Sequence, residues 1–419
     1  MTLPYAGLRV LDLSQGIAGP SCGGILARQG AEVIKVEPFA GDWARLMGGG
    51  SEGITPMSVT PNFGKRAVCI DASQADGAAL ILRLARDVDI VIESFRPGVM
   101  KKLGLDYATI RAINPAVLYL SVTGFGQDGP ARDLPGADSV VQAMSGMMVM
   151  NGDAEGNPRR VGMLLVDAAA GVYAAQRVGA ALFARQRRGQ GERIDVTLLA
   201  VSAALQALPI IDDHAHAGIP KTPVTVPSGT FRTRDGMINL TALRDKMFFA
   251  MARVLGRPEW TDEPAYATNQ LRLERAAEIN AGIQASLLHQ DNAYWVERFQ
   301  DQDVLCAPVF DYTQFRAHPQ VIHQQLFHER HQPGMGTIPV AVLPGLDAPP
   351  PDCLAPYLGQ HTVEVLRGCG LADREIAALE AARVVYARPQ QGSPPTPQHE
   401  SPATRNTKSG DNSTTNQER

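Results

Sequence analysis

Four times before residue 124 a short apolar run gives way to a break: Arg9–Leu13, Glu32–Val36, Val88–Ile92 and Ala116–Leu120. Stretches with helical spacing, Cys22–Arg28 and Ala78–Ala85, lie between them, and Gly16 and Gly19-Pro20 interrupt the first. A strand that is apolar throughout has to be covered on both faces. Strands separated by helices therefore predict a parallel, doubly wound sheet. Farther on, Asp167–Arg188 has a helical pattern ended by Gly189 and Gly191, and Arg193–Leu199 returns to strand-like alternation. The expected fold is α/β, with a Rossmann-like large domain built on a parallel sheet plus a smaller α/β domain.

The predicted organisation follows shifts in composition. Residues 1–208 form the N-terminal part of the large domain, and the His-, Pro- and Thr-rich stretch 209–227 reads as a linker. A small domain is expected over 228–328, with a strand pair around Arg234-Asp235-Gly236 and Trp260, Trp295 and Phe299 as anchors. Residues 329–387 supply a further linker and the C-terminal part of the large domain. From 388 to 419 the chain is nearly devoid of apolar residues and is expected to be a disordered tail.

With 39 basic and 43 acidic residues, no global field points to nucleic acid or an anionic membrane. The five cysteines are an odd number and widely spaced, which argues against a disulfide framework or a zinc site. No run approaches the length of a membrane span, and no signal peptide is read at the start. A cytoplasmic globular protein is expected, with no metal site; His214, His216, His323, His328 and His331 are read as surface residues.

Gly124-Phe125-Gly126-Gln127-Asp128-Gly129 matches G-x-G-x-x-G, but Pro130, Arg132-Asp133 and Pro135-Gly136 follow where a dinucleotide fold needs a helix to open. There is no phosphate-binding P-loop motif. Gly16-Ile17-Ala18-Gly19-Pro20 lies in the first strand-to-helix turn, where backbone can approach a ligand. Asp167 stands between an apolar run and the small residues Ala168-Ala169-Ala170-Gly171. It reads either as a helix cap or as a nucleophile, kept ionised by the helix dipole, with room for a bulky ligand.

Eight segments in register resemble the class III CoA-transferases, the CaiB/BaiF family that includes formyl-CoA transferase. They include Val10-Leu11-Asp12-Leu13 with Ala18-Gly19-Pro20, Gly30–Glu37, Lys65-Arg66 and Glu93–Val99. Ser121–Gly126, Asp167 with Gly171, Arg187–Gly191 and Ala355–Thr362 complete the set, over about residues 5 to 386. The resemblance implies that Asp167 attacks an acyl-CoA thioester and carries CoA through an anhydride and an aspartyl-CoA thioester. It implies CoA contacts at Ile17, Ala18, Ile70, Asp71, Ser73, Ser94, Phe95, Arg96 and Lys102, and site positions at Ala137 and Asp138. CoA and acyl-CoA enter as substrates, with no tightly bound cofactor. A small carboxylic acid is the acceptor, and an interlocked homodimer is expected. Succinyl-CoA is the expected donor, as the commonest in the family.

Pro38, Ile17 and Ser73 depart from formyl-CoA transferase, and the run of glycines expected between Ser228 and Asp262 is missing. The formyl and oxalyl specificity is therefore not carried over. An α-methylacyl-CoA racemase shares the fold but needs a histidine where this chain has Ala137. A non-catalytic CoA-binding protein is the remaining alternative.

Overall fold

A computed structural model describes residues 3–153, 155–217, 224–346 and 353–389. Six strands form the main sheet: β1 (Arg9–Asp12), β2 (Glu32–Glu37), β3 (Arg66–Ile70), β4 (Ile90–Glu93), β5 (Leu118–Thr123) and β6 (Arg193–Thr197). They are parallel, in the order β3-β2-β1-β4-β5-β6. The strand Val385–Tyr386 adds antiparallel to β3 at the edge.

Alternate residues of β1, β2, β4 and β5 feed two cores, which is why their runs are mostly apolar. On one face Val10, Ile90, Ile92, Leu118 and Leu120 pack against α1 (Ala18–Arg28), α2 (Asp138–Met144) and α3 (Leu165–Arg188). On the other, Leu11, Ile34, Val68 and Val91 meet Leu80, Ile81 and Leu84 of helix Ala75–Ala85. Val365, Leu366 and Ile376, from helices Thr362–Gly368 and Asp373–Ala381, join that second core.

The smaller unit is an antiparallel sheet of β7 (Ser228–Arg232), β8 (Met237–Thr241) and β9 (Leu305–Pro308), with helices around it. Trp260, Trp295 and Phe299 are buried in its core beside Phe248.

Four expectations need correction. Helix α1 starts at Ala18, so Gly19 and Pro20 lie inside its first turn, where the free N–H groups make proline harmless. Residues 209–215 belong to helix Ala207–Ala215, with Pro209 again in a first turn, and are not a linker. The boundary at 328 cuts a strand, β10 (Phe327–Gln332), which pairs with β11 (Gly336–Ala341). Its sequence, Phe-His-Glu-Arg-His-Gln, has no apolar alternation to reveal it. Leu198 and Leu199 open helix Leu198–Leu205 and do not extend β6. Apart from Arg388 and Pro389, the expected tail lies outside the described residues. Among those residues, no helix is long and apolar enough to cross a membrane.

Candidate active site

The strand order reverses between β1 and β4, so the loops leaving their carboxyl ends diverge and open a crevice. A buried ionic scaffold shapes the turn after β1. Ser14 donates its N–H to Asp12 Oδ1 at 3.0 Å and its hydroxyl to the same oxygen. Lys65 Nζ joins Asp12 Oδ2 and the Pro20 carbonyl, both at 2.7 Å. Lys35 Nζ donates to Asp42 Oδ2 at 2.9 Å and to the Ser14 carbonyl. Asp42 in turn accepts the Gly16 N–H at 2.9 and 3.1 Å. Gly16 has a φ of 82°, and a side chain there would run into the Trp43 indole. Backbone geometry and close packing both call for glycine at this point. Beside it, the Ser94 hydroxyl accepts from the Gln15 N–H at 2.8 Å and donates to the Gln15 carbonyl at 3.1 Å. This ties the β1 turn to the loop after β4.

Asp167 is not a cap. The N-cap of α3 is Leu164, and Asp167 lies in the first turn. The capping is done from another element: Asp138 Oδ2 accepts the N–H groups of Val166 at 2.8 Å and Asp167 at 3.1 Å. Gln142 holds Asp138 by a 2.6 Å bond to Oδ1. One turn beyond Asp167, on the same face of α3, Gly171 packs on α1; a Cβ there would lie 2.6 Å from Ser21 Cβ and 3.2 Å from the Ala18 carbonyl. That contact sets Asp167 over the Ile17-Ala18 turn. Gly171→Val is expected to cost about 1–3 kcal/mol by overpacking, read from urea unfolding, with Gly171→Ala a smaller loss of the same sign.

The Asp167 carboxylate is half-buried and accepts no hydrogen bond among the described residues. Burial, with the nearby Asp138 carboxylate second, pushes its pKa up to about 7. Desolvation and a like charge thus act against the ionised form that the helix dipole favours.

Asp167 lines a cleft with Ile17, Ala18, Ser94, Phe95, Arg96 and Ala137. Past Gln15 and Phe95, which line both, a second cleft carries Ile70, Asp71 and Ser73. The Asp71 carboxylate accepts from the Ser73 hydroxyl at 2.6 Å and from Gln74 at 2.9 Å, so it shapes its own turn. Two expected residues stand apart. Lys102 is exposed at the end of helix Val99–Lys102 and lines neither cleft; Asp138 is buried beneath the site as a support. Gln15, Trp43, Arg132 and Leu134 line the Asp167 cleft and were missed by the sequence reading. Among the described residues neither cleft is lined by a histidine, and Ala137 lines the Asp167 cleft.

The model of CoA-transferase family III matches residues 5–362. The chain belongs to CoA-transferase family III. It is 34% identical over 397 residues to the succinyl-CoA–D-citramalate CoA-transferase of Chloroflexus aurantiacus, covering 91% of this chain and 98% of that one. The human succinyl-CoA:glutarate CoA-transferase is 33% identical over 408 residues, with 91% and 90% covered. A crystal structure of a CAIB/BAIF family protein from Brucella suis superposes with a TM-score of 0.79 at 28% identity, covering 88% of this transferase and 100% of that chain.

Proposed function

We propose that this CoA-transferase moves CoA from succinyl-CoA to a small dicarboxylic acid, with Asp167 as the covalent carrier. The observation that carries this reading is the half-buried Asp167 carboxylate, without a hydrogen bond among the described residues, on a cleft that shares Gln15 and Phe95 with the Ile70–Ser73 cleft. The relatives named for succinyl-CoA support the donor and the acceptor class.

An Asp167 oxygen attacks the thioester carbonyl; the C–S bond breaks, and CoA leaves as thiolate from a mixed anhydride. The thiolate attacks Asp167 Cγ, the anhydride C–O bond breaks, and succinate departs from an aspartyl-CoA thioester. The acceptor carboxylate attacks the same carbon and releases the thiolate, which then takes the acceptor acyl group and frees Asp167. Each step exchanges one activated acyl group for another, so ATP is not needed. Burial keeps water from the anhydride and makes the carboxylate a stronger base than an exposed aspartate. CoA is expected to run from the Ile70–Ser73 cleft, past Ser94, Phe95 and Arg96, to Ile17-Ala18. The working enzyme is proposed to be a cytoplasmic homodimer; α3 exposes Val172, Tyr173 and Phe183, an apolar face suited to a second copy.

With succinyl-CoA and no acceptor, peptide mass spectrometry should find CoA linked at Asp167, and hydroxylamine should convert it to the hydroxamate. A panel of acids would then show transfer to dicarboxylates. A chain that turns over with no adduct at Asp167 would refute the carrier reading.

A further inference from the structure

Among the described residues, two cations line the cleft that holds Asp167, Arg96 and Arg132. We propose that Arg132 binds the distal carboxylate of the acyl group and so sets a preference for dicarboxylic over monocarboxylic acids. This rests on the reading of Asp167 as carrier given above.

Arg132 sits on the loop between β5 and α2, whose mouth is pinched shut by backbone contact. A Cβ on Gly124 would lie 2.8 Å from Gly136 Cα, and one on Gly136 2.7 Å from Gly124 Cα. Internal turns close the loop on itself, with Arg132 N–H on the Gly129 carbonyl at 3.3 Å and Leu134 N–H on the Ala131 carbonyl at 3.0 Å. The result is a compact projection that presents Arg132 and Leu134 to the cleft. Among the described residues the guanidinium has one ion pair, with its chain neighbour Asp133 at 3.4 Å, and both side chains are well exposed. Such a pair holds an arginine weakly, leaving most of its N–H fork free for a planar carboxylate.

The position of Arg132 points to the acyl group rather than to the CoA phosphates. It lines the Asp167 cleft but not the Ile70–Ser73 cleft beyond Phe95. With the thioester at Asp167, CoA leads away past Phe95 and the acyl chain must extend elsewhere in the Asp167 cleft. There the walls include Ile17, Val122, Phe125, Leu134 and Leu198, and a free carboxylate set against them without a cation would be costly to desolvate. Arg96 likewise lines the Asp167 cleft and not the Ile70–Ser73 cleft, but it directly follows Phe95, which lines both. Arg132 is carried by the other loop, beside Leu134.

The test compares Arg132→Met and Arg132→Lys with the parent, using glutarate and pentanoate as acceptors. In Arg132→Met the glutarate-to-pentanoate ratio of kcat/KM should fall about 10- to 100-fold, with Arg132→Lys intermediate. Adduct formation at Asp167 from succinyl-CoA should fall relative to that from butyryl-CoA by a similar factor. Equal losses for both acids would overturn the proposal and assign Arg132 to CoA binding or to the fold. Because the acceptor ratio is read on overall turnover, it stands or falls separately from whether Asp167 carries the adduct.

Discussion

Asp167→Asn should lower turnover on the order of 10⁴-fold or more at pH 8, because an amide can form neither the anhydride nor the thioester. The same substitution should stabilise the fold. Burial and Asp138 raise the Asp167 pKa to about 7, against about 3.9 for an aspartate in an unfolded chain. Between those values the folded chain binds more protons than the unfolded one, so stability falls as pH rises from about 4 to 7 and stays flat above. Asparagine escapes that cost. Its urea midpoint should exceed the parent's at pH 8, and the difference should vanish below about pH 4. In the parent, kcat/KM should climb through pH 7 as the nucleophilic form appears. A variant both inactive and less stable at pH 8 would mean that Asp167 supports the structure, and a flat pH profile would remove the ionisation from the rate.

The opposite signs follow from how the residue is held. Asp138 satisfies the N–H groups of the first turn of α3, leaving Asp167 with no capping duty and its carboxylate unbonded. Replacing the supporting residue should give the contrasting pattern, since Asp138→Ala leaves buried donors without partners and lowers stability with activity.

The doubly wound sheet was legible because the early strands are mostly apolar runs, and four such runs before residue 124 leave few other folds. Local periodicity carries that information. It failed at β10, whose six residues are mostly polar, and at Pro209, where a residue that usually ends helices sits in a first turn. In the site, the Asp167 cleft is lined by Ile17, Ala18, Ser94, Phe95, Arg96 and Ala137, six of the positions that the resemblance names. Trp43 and Arg132 were missed because what marks them is tertiary: an indole against Gly16, and a loop pinched at Gly124 and Gly136. Lys102 lines neither cleft: charge near a motif says nothing about the direction of the side chain. The role of Asp12 was hidden for the same reason. Within its strand it reads as one polar residue in an apolar run, and its partner Lys65 lies 53 residues away.

Lys65→Met should cost about 3–5 kcal/mol of stability, the penalty for leaving a buried charge without its counter-ion. Lys65 and Asp12 are both fully buried, joined at 2.7 Å. Burial pulls Lys65 down to about 8, so at pH 7 it is still mostly an ammonium. Burial pushes the Asp12 carboxyl upward, but the Lys65 and Lys35 ammoniums outweigh it and hold the pKa below the ordinary range. A lowered carboxylate pKa contributes stability that is present above about pH 4 and is lost as pH falls through the folded value. Methionine removes the main source of that contribution. The gap between parent and Lys65→Met should therefore narrow as the solution is acidified from neutrality. Adding Asp12→Asn should recover part of the loss, because the amide needs no counter-ion. The effect should also reach the site. Lys65 anchors the Pro20 carbonyl and Asp12 holds Ser14, at either end of the Ile17-Ala18 turn, so the double variant should keep a raised KM for acyl-CoA even where its stability returns. Recovery of stability with an unchanged KM would confine the pair to the core, and a Lys65→Met chain as stable as the parent would deny the ion pair its structural role.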